Sequence, residues 1–355
     1  MIFKKKTQAK AAPSAAKRVL VIKMGGLADF VQMLAAAKAI REYHFGARIT
    51  LLTAEPFRVM AEKCPYFDTV ETDAAIRPPT VGESATTAVG AQSAKEEQPI
   101  IVQLISRVRA AKYDMVYDLE NSRRTSAIYQ GLRPWPPLWC GAAPGASHPF
   151  KDAGGQHNLD RLAAQLQSAG IELKGPLLPD FSWVRVALRD APRLSPDYFG
   201  IRGRYVLLAP RGADVGPKRR WPPEKYVQLA RTIAAQGVTP VVLGGQEERG
   251  IGTAIAQAER HAKNLVMRPD LFQSAALAER ASFAVGDDVD LLHVAAAAGA
   301  PCLVFVSSRD DVELRAPRGP GGVVALTAAV VADIPVEQVD RQIRNCGVYV
   351  RAATA

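Results

Sequence analysis

The sequence predicts an α/β protein made of two parallel-sheet halves, and three observations carry the prediction. Apolar runs of strand length alternate with segments whose apolar residues recur at helical spacing, as where residues 18–23 are followed by Phe30, Met33, Leu34, Ala37 and Ile40. The alternation stops across residues 173–204, which are rich in Pro, Asp and Arg and hold no long periodic segment, and then restarts. A chain of 355 residues, 48% hydrophobic and 23% charged, is also long for one core, which rarely grows past ~250–300 residues.

In the first half, residues 18–23 read as a buried strand, Met24-Gly25-Gly26-Leu27-Ala28-Asp29 as a turn, and the chain from Phe30 as a helix. Residues 48–53 and 67–71 are strands flanking a helix at 55–64. Residues 73–99 hold Ala, Thr, Ser, Gly and Pro with few large apolar side chains and read as a mobile surface loop. An amphipathic helix at 100–111, a strand at 114–118, a polar turn Glu120-Asn121-Ser122-Arg123-Arg124 opening a helix, and a helix at 157–169 complete the half.

The second half restarts with a strand at 205–209, a helix at 223–236, a strand at 238–243 ending in Gly244-Gly245, and a helix at 246–261. Residues 283–301 read as a buried strand that turns sharply through Gly286 and acidic residues, then a small-residue helix closed by Gly299 and Pro301. Strands at 301–306 and 323–326 and a helix from about 336 follow. The limits are an arm at 1–17, a domain at 18–175, a connection at 176–204 and a domain at 205–355. Repeated βα units imply parallel sheets covered on both faces, since each crossover helix must pack against the sheet.

The net charge is +10, but Lys4, Lys5, Lys6, Lys10, Lys17 and Arg18 belong to a leading segment without an acid, so the remainder carries only +4. Such an arm reads as a solvated tail or as a contact with an anionic membrane face. Nucleic acid is not expected, because the remainder has no aromatic-rich or repeated basic motif. Cys64, Cys140, Cys302 and Cys346 form no Cys-x-x-Cys pair, so neither a zinc site nor a disulfide framework is indicated, and a cytoplasmic protein is expected. No apolar run approaches the ~20 residues of a membrane helix, and the leading lysines lack the apolar core of a signal peptide.

Gly286, Asp288 and His293, with the alanine-rich helix after them, resemble the Gly-Asn-Asp-Ser/Thr-Gly-x-x-His signature of the ADP-heptose:lipopolysaccharide heptosyltransferase-like family, glycosyltransferase family 9. The chain has Val289-Asp290 where that family has Ser/Thr-Gly. Tyr113, Asp114, Val116, Asp118, Leu119 and Ser122 are similar to a second family stretch, Tyr-Asp-x-Val-x-Asp-Leu-x-x-Ser. The resemblance spans roughly residues 18–306. It implies the GT-B fold, two Rossmann-like domains facing a cleft, with the acceptor on the first domain and a nucleotide-sugar donor on the second.

Four constellations carry the expected chemistry. Asp29, in a strand-to-helix loop, is placed to take a proton from an acceptor hydroxyl, and similar family members use the Asp of a Gly-Asp-Val sequence so, where this chain has Ala28. The plainer reading is that Asp29 caps the helix. Arg211 with Lys218-Arg219-Arg220-Trp221-Pro222 offers cations for a leaving diphosphate. The family's Lys-x-Trp-Pro matches Arg219 by distance to Trp221 and Lys218 by residue type. Glu248, after Gly244-Gly245, is placed to accept hydrogen bonds from ribose hydroxyls, or simply to favour a helix N-terminus.

The fourth constellation is the seat for the diphosphate at Asp288, Val289 and Asp290, with His293 one turn into the helix; the bland reading of His293 is a core histidine. Asp290 adds a carboxylate beside Asp287 and Asp288, and like charges ~4 Å apart repel by several kcal/mol at an effective dielectric of ~20. Asp290 turned to solvent as a cap is the alternative. Asp288-Val289-Asp290 also spells a metal-holding Asp-x-Asp, though no metal or other cofactor is expected at a strand-helix junction of this kind. The resemblance implies inverting transfer of a sugar from an ADP-heptose-like donor to a lipopolysaccharide core or other envelope glycolipid. A derived, non-catalytic nucleotide-sugar-binding or scaffold protein is the rival class.

Overall fold

The computed structural model describes residues 13–72, 94–212, 215–216, 218–287 and 289–349. Lys4, Lys5, Lys6 and Lys10 of the arm, most of the expected 73–99 loop, and Asp288 lie outside the described residues. The end of that loop is corrected. The helix expected from Ile100 already runs from Ala94 and contains Pro99 in its second turn, where the ring removes one i→i−4 hydrogen bond. The last residues of the arm are also fixed, because the backbone N–H groups of Lys17 and Arg18 both donate to Asp114 Oδ2 at 2.9 Å.

The strands of the first half are β1 (Arg18–Ile22), β2 (Arg48–Thr53), β3 (Thr69–Thr72), β4 (Met115–Asp118), β5 (Leu138–Gly141) and β6 (His148–Pro149). The second half holds β7 (Tyr205–Ala209), β8 (Thr239–Val242), β9 (Lys263–Asn264), β10 (Phe283–Asp287), β11 (Cys302–Val306) and β12 (Val323–Thr327). Every pairing is parallel. The sheet orders are β3-β2-β1-β4-β5-β6 and β12-β11-β10-β7-β8-β9. Numbered from its own first strand, each sheet is the doubly wound 3-2-1-4-5-6 arrangement, whose strand order reverses between the first and fourth strands. Ligands bind outside the carboxyl ends of the strands at that reversal. In this chain the reversals lie between β1 and β4 and between β7 and β10.

The helices are α1 (Leu27–Tyr43), α2 (Arg58–Lys63), α3 (Ala94–Ala111), α4 (Arg123–Gly131), α5 (Asn158–Ser168), α6 (Trp183–Ala187), α7 (Pro223–Ala235), α8 (Arg249–Ala258), α9 (Leu271–Arg280), α10 (Asp290–Ala297), α11 (Arg309–Arg315) and α12 (Val336–Asn345). α6, α9, α11 and the strands β5, β6 and β9 escaped the sequence reading; β6 and β9 are two residues long, too short for a period to show.

One apolar cluster runs through both halves. It joins the inner sheet faces to α1 and α10, and includes Phe30, Leu34, Ala36, Leu292, Ala295 and Ala296. α1 and α10 pack directly on each other. Both carry runs of buried alanine, Ala35-Ala36-Ala37 and Ala295-Ala296-Ala297, and small side chains let two helix backbones approach closely. The alanine-rich helix read from the sequence therefore serves the contact between the halves. α10 closes on Gly299, at φ 93°, a left-handed position that glycine adopts without penalty.

Gly286 is not a turn. It lies inside β10, extended and paired with Ala209 of β7. A Cβ built on Gly286 would sit 2.0 Å from the Ala209 carbonyl oxygen. The glycine is there because two backbones pass too closely for any side chain.

Candidate active site at the two sheet reversals

At the first reversal β1 ends at Ile22 and the chain passes through Lys23, Met24, Gly25 and Gly26 into α1. The helix starts at Leu27, so Asp29 sits in its first turn, and Gly26 at the N-cap makes no side-chain cap hydrogen bond. The capping reading of Asp29 is thereby corrected. Asp29 turns back toward the strand instead, where its Oδ1 lies 3.1 Å from Lys23 Nζ. Gly25 provides the room, since a Cβ there would meet Asp29 Oδ2 at 2.5 Å. Glu120, just past β4, approaches the same ammonium at 3.4 Å and accepts the Met24 N–H at 3.1 Å. Asp29 keeps about a third of its side chain exposed, 33%, so solvent or a ligand reaches the carboxylate.

Beside this cluster Asp118, the last residue of β4, is fully buried. Its Oδ1 accepts the Asn121 N–H at 2.9 Å. Burial pushes its carboxyl up to about 6, against the pull of that hydrogen bond. Asn121, at φ 52°, pins the loop in both directions, donating to Gln165 Oε1 at 2.8 Å and accepting the Ala142 N–H at 2.8 Å.

At the second reversal Asp287, the last residue of β10, is the hub. Its Oδ1 accepts the Trp221 N–H at 2.8 Å, and its Oδ2 accepts the Arg211 N–H at 2.9 Å and the Tyr226 hydroxyl at 3.0 Å. The Asp287 N–H in turn donates to the Tyr226 hydroxyl oxygen at 3.1 Å. Burial pushes this carboxyl up to about 7, while the three donors favour its ionised form. The expected crowding of Asp287 with Asp290 is corrected here: Asp287 faces inward, onto donors that compensate it. Trp221 is fully buried against Tyr226 and Phe305 and donates its indole N–H to the Ile334 carbonyl at 2.9 Å.

The remaining expected donor residues surround this hub. Arg211 follows β7 closely, and its Nε is buried with no hydrogen-bond partner among the described residues. Lys218 and Arg219 both stand exposed. Their backbones are pinned, with the Val331 N–H on the Lys218 carbonyl at 3.2 Å and the Arg219 N–H on the Gly216 carbonyl at 3.1 Å. The geometry does not separate one from the other as the match to the family lysine. Glu248 is buried, and its Oε2 accepts the Gly245 N–H at 2.7 Å, closing its own turn.

Val289 is the N-cap residue of α10, extended and without a side chain able to cap. Asp290 is the first helical residue, half-buried, and is not the cap. His293 is buried, with Nδ1 3.2 Å from Gln32 Nε2 of α1. Gln32 Oε1 accepts from Asn158 Nδ2 at 2.6 Å. Gln32 is three residues beyond Asp29, ~4.5 Å along the helix axis. The turn carrying the acidic candidate therefore adjoins the first turn of the helix expected to seat the diphosphate. A second link between the halves is His157 Nε2 on the Ala316 carbonyl at 2.9 Å.

Lys23, Gln32, Glu120 and Asp287 were missed as site residues. A charged residue closing an apolar strand, as Lys23 and Asp287 do, is a signal available in the sequence; Gln32 has no such signal. Among the described residues no three His, Cys, Asp or Glu side chains converge as a metal site would. A cleft of about 480 Å³ beside the C-terminal half of α1, lined by Lys38, Glu42, Tyr43 and residues 171–178, contains none of the expected site residues.

The family model for glycosyltransferase family 9 (heptosyltransferase) matches residues 101–317, more than half of the chain. The chain belongs to glycosyltransferase family 9. Among its relatives, the lipooligosaccharide heptosyltransferase 2 of Haemophilus influenzae is 30% identical over 99 residues, 26% of this chain and 29% of that protein. The match thus spans under a third of that relative's length. The family 9 glycosyl transferase of Veillonella parvula superposes with a TM-score of 0.72 at 16% identity, covering 93% of this chain and 97% of that one. The E. coli heptosyltransferase WaaC with ADP superposes at 0.69 and 19% identity, covering 93% and 99%. These structures share the GT-B fold with this family 9 chain.

Proposed function

We propose that this family 9 protein transfers a sugar from a nucleoside-diphosphate donor, ADP-heptose or a close relative of it, to a hydroxyl of a lipopolysaccharide core or another envelope glycan. The observation that carries the reading is Asp29, a partly exposed carboxylate held by Lys23 at the reversal of the first sheet, one helical turn from the contact with His293. The acceptor domain is 18–175 and the donor domain 205–355. The acceptor oxygen attacks the anomeric carbon, and its proton passes to Asp29. The bond from that carbon to the diphosphate breaks, and its electron pair leaves on the phosphate oxygen. Arg211 and one of Lys218 and Arg219 neutralise the charge that builds there. Attack opposite the leaving group inverts the anomeric centre. The protein works in the cytoplasm, and the lysines of residues 1–17 hold it near the anionic inner membrane.

The test is release of nucleoside diphosphate from ADP-, UDP- and GDP-sugars in the presence of a core glycan. ADP released from ADP-heptose, only with acceptor present, is the expected result. Binding of these donors without release from any of them would leave the non-catalytic, nucleotide-sugar-binding class standing.

A further inference from the structure

Lys23 lies between two carboxylates, 3.1 Å from Asp29 and 3.4 Å from Glu120, and its side chain is 9% exposed. Glu120 is itself fixed by the Met24 N–H. Burying an ammonium is costly unless it is paired. Burial alone would make Lys23 give up its proton more easily, yet the two carboxylates outweigh that effect and hold it above lysine's ordinary value. The cluster contains one cation and two anions. Each carboxylate therefore shares the ammonium with the other, and the lysine is braced from two sides.

We infer that Lys23 and Glu120 are the positioning residues of Asp29: Lys23 fixes the carboxylate at the sheet reversal, and Glu120, itself held by the Met24 N–H, braces the ammonium from its other side. This rests on the proposed role of Asp29 as base. Asp118 on β4 faces Asn121 rather than Lys23. Across α1, the facing groups are His293 of α10, which meets Gln32, and Asn158 of α5. Neither Lys23 nor Glu120 belongs to the donor half, so their effect falls on the chemical step and not on nucleotide binding.

Glu120→Gln separates charge from shape, since its amide oxygen still accepts the Met24 N–H. On the full chain, kcat with the donor the wild type uses should fall at least tenfold, because misplacing or weakening a reacting group costs up to ~100-fold. ADP affinity by calorimetry should change less than about twofold. Lysine-labelled NMR gives a readout independent of turnover: Lys23 should remain charged at about pH 11, and lose its proton at lower pH in Glu120→Gln and in Asp29→Asn. Unchanged kcat in Glu120→Gln, or a wild-type Lys23 that titrates as an ordinary lysine near pH ~10.4, overturns the inference. A wild type that transfers no sugar overturns the proposed function instead. The NMR arm then still decides whether the two carboxylates share the ammonium.

Discussion

The carboxylate of Asp287 accepts the backbone N–H of Trp221 at 2.8 Å, across 66 residues of chain. With the Arg211 N–H on its other oxygen, Asp287 ties the end of β10 to both ends of the loop that carries Lys218 and Arg219. A buried acid at the end of a strand thus sets where the cations stand.

Asp287→Ala should leave the N–H groups of Arg211 and Trp221 without acceptors and the Tyr226 hydroxyl without its carboxylate. Stranding buried donors costs about 1–3 kcal/mol each, so a loss of at least about 3 kcal/mol in urea unfolding is expected. ADP binding should weaken in step. A variant as stable as the wild type would show that the loop holds its position without the hub.

Asp29→Asn should abolish sugar transfer while ADP binding, measured by calorimetry, persists. The amide cannot take the acceptor's proton, and the donor half is untouched. Near-normal turnover would reduce Asp29 to a structural partner of Lys23.

Lys218→Ala combined with Arg219→Ala should weaken ADP binding far more than adenosine binding, because only the phosphates meet these cations. Both side chains are exposed, so the melting temperature should not move. Equal losses for both ligands would place the pair away from the phosphates.

Stability should fall as pH rises from about 4 to about 6, in part through Asp118. Its folded carboxyl is raised to about 6 from an ordinary 3.8, so the native state binds the proton more tightly than the unfolded chain. The stabilisation is complete below the unfolded value and is lost as pH climbs through the folded one, with a span of about 3 kcal/mol. Asp118→Asn, which cannot titrate, should flatten this part of the melting-temperature profile between pH 4 and 6. An unaltered slope would assign the dependence to other groups, Asp287 first among them.

Much of the architecture was legible in the sequence because it is written in local periods. Apolar runs of five residues, each followed by helical spacing, give parallel βα units whatever their neighbours, so β1, α1, β7 and β10 appear where expected. The composition change at 173–204 falls between the strands of the first sheet and those of the second. Asp29 and Arg211 could be singled out because residues at strand-to-helix junctions reach the carboxyl edge of a parallel sheet, whereas His293 was marked only by the resemblance of its motif.

Tertiary structure decided what each of those residues touches. Gly286 reads as a turn from its neighbours in the chain, and only the passage of Ala209 beside it makes it an extended strand residue. Asp29 reads from the sequence as a base or as a cap, and only the placement of β4 beside β1 brings Glu120 to the lysine that holds it. Asp287 reads as one more charge in an acidic run, yet donors 61 to 76 residues away turn it inward. Partners so far apart leave no periodic trace, because their meeting is fixed by strand order and helix packing, which no window of the sequence contains.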